Sequence, residues 1–175
     1  MTARVPRPGP GGPPSRASRP GPGGLPSPEA RMVQVGEKAV TLREAVAECT
    51  FRTTPEACAA LVAGTRKGNP LEAAKVAGLL AAKQTPDLLP FCHPIAITGA
   101  TVEVQPDPGS GTIRVEARVT AADRTGAEME ALTAAAVAAL SLYDTAKEFD
   151  RAAEVTGLRL LAKSGGKSGD YRRGS

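Results

Sequence analysis

Tryptophan is absent from these 175 residues, and three phenylalanines with two tyrosines make up the entire aromatic content. RNA-binding sheets and single-strand binders stack bases on aromatic platforms, and no strand-like segment here carries one. Histidine occurs once, so no second imidazole exists to complete a metal site around it. The three cysteines, Cys49, Cys58 and Cys92, are an odd number without C-x-x-C spacing, so neither a disulfide framework nor structural zinc is indicated. No stretch approaches the roughly 20 apolar residues that span a bilayer. The most apolar segment, 131–142, is mostly Ala interrupted by Thr and Ser. These shortages predict a protein of the reducing cytoplasm that binds neither nucleic acid nor membrane.

The formal net charge of +4 points the other way until it is located. Residues 1–28 contain Arg4, Arg7, Arg16 and Arg19, no acid, nine Pro and six Gly. That stretch has too little apolar surface to offset the entropy of ordering it, and it lacks the apolar core of a secretory signal. The remaining 18 basic and 18 acidic residues cancel. The reading is therefore a disordered tail over 1–28, a single domain over 29–163, and a flexible Gly/Ser/Lys segment over 164–175 able to close over a site.

Within the domain, 40–51 reads equally well as strand or helix. Thr54-Pro55 opens a short helix that Gly64 ends. A second helix starts at Pro70 and runs to about Lys83, with Leu71, Ala74, Val76, Leu79 and Leu80 expected toward a core. Segments 95–105 and 112–120 alternate and are joined by Pro106-Asp-Pro-Gly-Ser-Gly, which predicts an antiparallel hairpin. In the second of them Ile113, Val115, Ala117 and Val119 should face inward. The longest helix is expected over about 127–150, and a last strand over 158–161. This mixture predicts an α+β fold with helices on one face of a sheet.

Four places could carry chemistry. On the long helix Glu130, Thr133, Val137, Leu140, Asp144 and Lys147 form one stripe at helical spacing, apolar in the middle and ionised at its ends. A simple i,i+3 ion pair between Asp144 and Lys147 would also account for its end. Phe91-Cys92-His93-Pro94 holds the only histidine; neighbouring side chains rarely converge as a nucleophilic pair, which leaves His93 as a hydrogen-bonding or acid–base group. Lys163-Ser-Gly-Gly-Lys167-Ser-Gly-Asp170 is not a Walker motif, since Leu161 stands where its first Gly belongs. Its Gly-rich backbone could still wrap an anion, or the segment could be a solvated tail. Lys67-Gly68 lies in a basic turn, and Lys83 adds another cation.

Three stretches taken together resemble one family: Asp87-Leu-Leu-Pro-Phe-Cys-His-Pro94, Thr125-Gly-Ala-Glu-Met-Glu-Ala-Leu-Thr through Tyr143-Asp-Thr-Ala-Lys147, and Leu160-Leu-Ala-Lys-Ser-Gly-Gly-Lys-Ser-Gly-Asp170. In order and spacing they are similar to the cyclic pyranopterin monophosphate synthases of molybdenum cofactor biosynthesis, over roughly residues 30–170. The resemblance implies a ferredoxin-like antiparallel sheet with helices packed on one face. It implies a hexamer of three dimers with sites at subunit interfaces. The implied reaction turns the 3′,8-cyclo derivative of 7,8-dihydro-GTP into a pyranopterin carrying a cyclic phosphate and releases pyrophosphate.

By the same resemblance Asp144, Lys147 and Lys67 fall on the family's catalytic positions. Phe91, Cys92, His93, Met129 and Glu130 fall on its substrate-contacting positions, with Lys163, Lys167 and Lys83 expected around the phosphates. No resident cofactor or metal is expected; a divalent cation accompanying the phosphates stays open. The basic turn reads Thr65-Arg-Lys-Gly-Asn69 where the family often has His-Lys-Gly-Asp. A non-catalytic nucleotide-binding or RNA-binding module, or a structural oligomer built on the Ala-rich helix, are the alternatives. Neither explains Asp144, Lys147 and the dispersed lysines together.

Overall fold

The computed structural model describes residues 32–167 and 169–174, so the tail expected over 1–28 lies outside the described residues. Elements run in the order β1 (Thr41–Arg52), α1 (Pro55–Ala63), α2 (Pro70–Leu88), β2 (Ile97–Asp107), β3 (Thr112–Asp123), α3 (Glu128–Ala146), β4 (Glu154–Ser164) and β5 (Tyr171–Arg172). The sheet order is β2-β3-β1-β4-β5, and every neighbouring pair is antiparallel. The first four strands, with α2 leading into β2 and α3 into β4, make the ferredoxin-like arrangement. The short β5 turns the C-terminal segment back along β4, Lys163 opposite Tyr171.

The ambiguous 40–51 segment is a strand. Its Ala and Glu favour helix locally, but β1 lies between β3 and β4 and makes a ladder on each edge. Ala45, Ala47, Cys49 and Phe51 face the core opposite Val119, Ala117, Val115 and Ile113 of β3, which point inward as their alternation predicts. Val46 and Glu48 on the other face are also nearly covered, which hides the period of two in the sequence. There Arg114 Nε and Arg159 Nη2 hold the two oxygens of Glu48 at 2.8 and 2.6 Å, and Arg118 pairs with Glu44 at 2.6 Å.

Helix starts follow their caps. Thr54 accepts from Ala57 N and Asn69 accepts from Leu71 N and Glu72 N, each just before a proline at the first helical position. The expected core face of α2 needs correction. Val76 and Leu80 are 55% and 52% exposed, while Ala74, Gly78, Ala81, Ala82 and Thr85 are buried. Gly78 explains the rotation: a Cβ there would lie 2.8 Å from the Ala134 carbonyl oxygen and 3.0 Å from Val102 Cγ2. Close approach of α2 and α3 therefore selects the small residues and turns the larger ones outward. α3 stops at Ala146, short of the expected 150. Asp150 instead accepts from the Thr53 hydroxyl at 2.8 Å and the Thr54 amide at 3.2 Å, tying the α3–β4 connection to the start of α1.

Candidate active site

Two groups of chemistry-bearing side chains lie at opposite ends of α3. At its C-terminal end Lys147 Nζ donates to Asp144 Oδ1 at 2.7 Å, one helical turn away. Lys67 reaches the same end from the α1–α2 turn, its Nζ 3.4 Å from Glu148 Oε1. That turn is braced: Thr65 and Gly68 exchange backbone hydrogen bonds of 2.9 and 3.0 Å, and the Thr65 hydroxyl accepts from the Lys67 amide. Asn69 then caps α2 as an aspartate would, so the departure from His-Lys-Gly-Asp leaves the turn's construction intact. The Lys147 hydrogen bond and charge, with the Lys67 charge behind them, hold the Asp144 carboxyl below the ordinary aspartate range. Asp144 in turn raises the Lys147 ammonium. Both stay ionised, and both are exposed beside a groove lined by Tyr143, Lys147, Glu148 and Arg151.

The N-terminal end of α3 is different in character. Glu130 is 1% exposed, accepts from Cys92 Sγ at 3.5 Å through Oε1, and leaves Oε2 without a hydrogen-bond partner. Burial pushes its carboxyl up, with the charges of Glu128 and Asp123 adding to the effect. Burial, then the neighbouring Glu130, pushes the Cys92 thiol up to about 11, so it is a donor here and a poor nucleophile. His93 is half-buried beside it, while Phe91 and Met129 are exposed apolar groups at the same end. The segment after α2 and the start of α3 thus bring Cys92 and Glu130 together, with Phe91, His93 and Met129 as their immediate chain neighbours.

A cleft of about 930 Å³ opens at the same N-terminal end of α3, where Thr125, Gly126 and Glu128 line it. Lys163 and Lys167 line it as the sequence suggested, with Lys163 Nζ 2.9 Å from Glu128 Oε1. Three further cations, Lys38, Arg43 and Arg124, also line it and were not singled out from the sequence. They come from the approach to β1, from β1 itself and from the β3–α3 connection, so no linear motif joins them. Arg43 donates to the carbonyls of Asp123, Gly165 and Arg124 at 3.2 to 3.4 Å, binding the three segments together. Gly165, at φ +87°, lets the β4–β5 loop pass against the Leu42 carbonyl where any Cβ would collide. α3 starts at this wall with no side-chain cap on Ala127, so its first-turn amides and the surrounding cations suit a polyanion.

Lys83 is exposed on α2 and joins neither cluster through a hydrogen bond or ion pair among the described residues. No three His, Cys, Asp or Glu side chains among the described residues are grouped to hold a metal ion. Glu130 and Asp144 are separated by fourteen residues of helix, about 21 Å at 1.5 Å per residue. One copy of the chain therefore does not bring the two groups together.

The MoaC family sequence profile matches residues 32–166. The chain belongs to the MoaC family. The matched span takes in both ends of α3 and Lys163; Lys167 lies one residue beyond it. Among curated relatives the chain is similar to a cyclic pyranopterin monophosphate synthase of Parvibaculum lavamentivorans, 51% identical over 145 residues, which is 82% of this chain and 90% of that protein. It is 49% identical over 143 residues to the protein of the same name from a Roseiflexus strain, covering 81% and 90%. For that of Pelotomaculum thermopropionicum the identity is 48% over 146 residues, covering 83% and 86%. Membership accounts for the three stretches singled out by resemblance, because they supply most of the two clusters at the ends of α3.

Proposed function

We propose that this chain is a cyclic pyranopterin monophosphate synthase, a phosphorus–oxygen lyase of molybdenum cofactor biosynthesis. Its substrate is (8S)-3′,8-cyclo-7,8-dihydroguanosine 5′-triphosphate and its products are cyclic pyranopterin monophosphate and pyrophosphate. The observation that carries the reading is the cation-lined cleft at the N-terminal end of α3, the end that also holds the buried Glu130 and its Cys92 donor. Closing the cyclic phosphate joins a substrate hydroxyl oxygen to the α-phosphorus as the α–β bridge breaks and pyrophosphate leaves. Lys163, Lys167, Arg43 and Arg124 are suited to stabilise that departing charge.

Rebuilding the ring also needs proton transfer. Asp144 is suited to accept a proton, and Lys147 and Lys67 to donate and to balance charge. Glu130, Cys92 and His93 position the guanine-derived ring, with Phe91 and Met129 against its faces; Lys83 is assigned to the outer phosphate approach. The donor set calls for no resident cofactor, and a divalent cation would arrive on the triphosphate's own oxygens. The distance between Glu130 and Asp144 supports a complete site drawn from two subunits; the homohexamer, a trimer of dimers, rests on the family resemblance alone. We place the reaction in the cytoplasm; Cys49, Cys58 and Cys92 are all unpaired, and no helix among the described residues is long and apolar enough to cross a membrane.

The test is product formation from the cyclised GTP derivative, followed by mass spectrometry of pyrophosphate and the pterin phosphate. The parent chain should form both, and Asp144→Asn should lose at least about 100-fold in turnover while keeping its fold. Near-normal turnover by the folded variant would remove Asp144 from the mechanism. No turnover by the parent chain would remove the reading.

A further inference from the structure

His93 stands between two carboxyl groups that hold the chain on either side of it. Residues 92–96 follow α2 and belong to no helix or strand. Among the described residues the His93 imidazole makes no hydrogen bond or ion pair of its own, so its place is set by the main chain that carries it. On one side Cys92 Sγ donates to Glu130 Oε1 at 3.5 Å. On the other the Ala96 amide donates to Asp123 Oδ2 at 2.9 Å, and the Ala96 carbonyl accepts from Ala122 N at 3.1 Å. Between these holds the Pro94 ring fixes its φ, and Ile95 packs against the core.

Asp123 is the last residue of β3, half-buried, and no linear motif marks it. Its second oxygen, Oδ1, accepts from the Arg124 amide at 2.7 Å. Its main-chain carbonyl accepts from Arg43 Nε at 3.3 Å. Arg43 and Arg124 both line the anion cleft. The Ala96 amide, then the Arg124 amide, hold the Asp123 carboxyl below the ordinary aspartate range, so both of its oxygens accept at neutral pH. We infer that Asp123 is a positioning residue for the proposed reaction: it ties the segment carrying His93 to the residues carrying the cleft's cations. A carboxylate suits this place because it offers an acceptor to each amide. An asparagine oxygen would satisfy one of them and turn an amino group toward the other. The inference rests on the reading of His93 and the cleft as parts of one site, and one arm of its test does not depend on catalysis.

The experiment compares Asp123→Ala and Asp123→Asn with the parent in the full, untagged chain. His93 is the only histidine, so its ring gives a single imidazole signal by nuclear magnetic resonance. In Asp123→Ala that signal should sharpen and move toward its position in the unfolded chain, with the circular dichroism unchanged. Turnover of the cyclised GTP derivative should fall about tenfold while KM stays within about threefold, since a misplaced group costs kcat more than ground-state binding. Asp123→Asn should lie between the parent and Asp123→Ala on both readouts, and it carries the test where Asp123→Ala does not fold. A residue that served stability alone would lower the melting temperature and leave both readouts of the folded protein where they were. An unmoved His93 signal, or a parent-like kcat in the folded variants of an active parent, therefore overturns the inference. If the signal moves but the parent chain makes no product, Asp123 stands as the anchor of His93 and the proposed reaction falls.

Discussion

Glu130 and Asp144 lie on the same stripe of α3, about 21 Å apart, the first 1% exposed and the second in an open ion pair with Lys147. One carboxyl is pushed up by burial and the other held down by a lysine. Two carboxyls with pKa values driven apart can serve opposite proton-transfer roles, provided that they reach one substrate. Within one copy they do not.

Mixing therefore distinguishes a shared site from two separate ones. Asp144→Asn and Glu130→Gln, each nearly inactive alone, should regain activity when co-assembled from an equal mixture. An intact site needs the N-terminal half from one variant and the C-terminal half from the other, so recovery should approach about one quarter of the parent rate. Product formation after co-refolding measures it; recovery at background level would place each site within one copy.

The anion cleft yields a binding prediction. Lys167→Ala removes one cation from a lining that keeps Lys163, Arg43 and Arg124. Affinity for pyrophosphate should fall about tenfold, equivalent to about 1.4 kcal/mol, with a weaker dependence on salt. Isothermal titration at two ionic strengths checks both. Unchanged affinity would move the phosphates elsewhere.

Glu48 predicts a pH dependence of stability. Burial raises its carboxyl, but hydrogen bonds and charge from Arg159 and Arg114 outweigh burial and leave it below its ordinary value of 4.5. A group depressed in the folded state contributes stability above its unfolded pKa and loses it as pH falls through the folded pKa. Glu48→Gln should cost about 1 to 2 kcal/mol at neutral pH, with the difference from the parent shrinking below pH 4.5. Chemical denaturation at a series of pH values reads it.

Gly78 tests the helix contact. Alanine gains about 1 kcal/mol in helix propensity over glycine, yet its Cβ would meet the Ala134 carbonyl oxygen at 2.8 Å and Ala138 Cβ at 3.2 Å. Gly78→Ala should be destabilising on balance, by about 1 to 3 kcal/mol. A raised melting temperature would show that α2 and α3 separate without cost.

Local chemistry in the sequence was enough for the helix starts at Thr54-Pro55 and Asn69-Pro70, for the 97–123 hairpin, and for the inward set from Ile113 to Val119. Each depends on neighbours in the chain: a cap, a proline, a turn, an alternation. Asp144 and Lys147, one helical turn apart, and the adjacent Cys92 and His93 stand out in the sequence as candidates, but spacing alone fits a plain ion pair equally well, and only the family resemblance suggests roles for them. Three features were decided only by tertiary structure. β1 is a strand because two ladders outweigh the helix preference of its Ala and Glu. Val76 and Leu80 turn outward because Gly78 and its Ala neighbours permit a closer, better-packed contact with α3. Lys38, Arg43 and Arg124 join Lys163 and Lys167 because the strand order brings their segments to one edge. The partition of the chemistry between the ends of α3 is of the same kind, since a helical stripe reveals which residues share a face but the fold alone shows which of them have company.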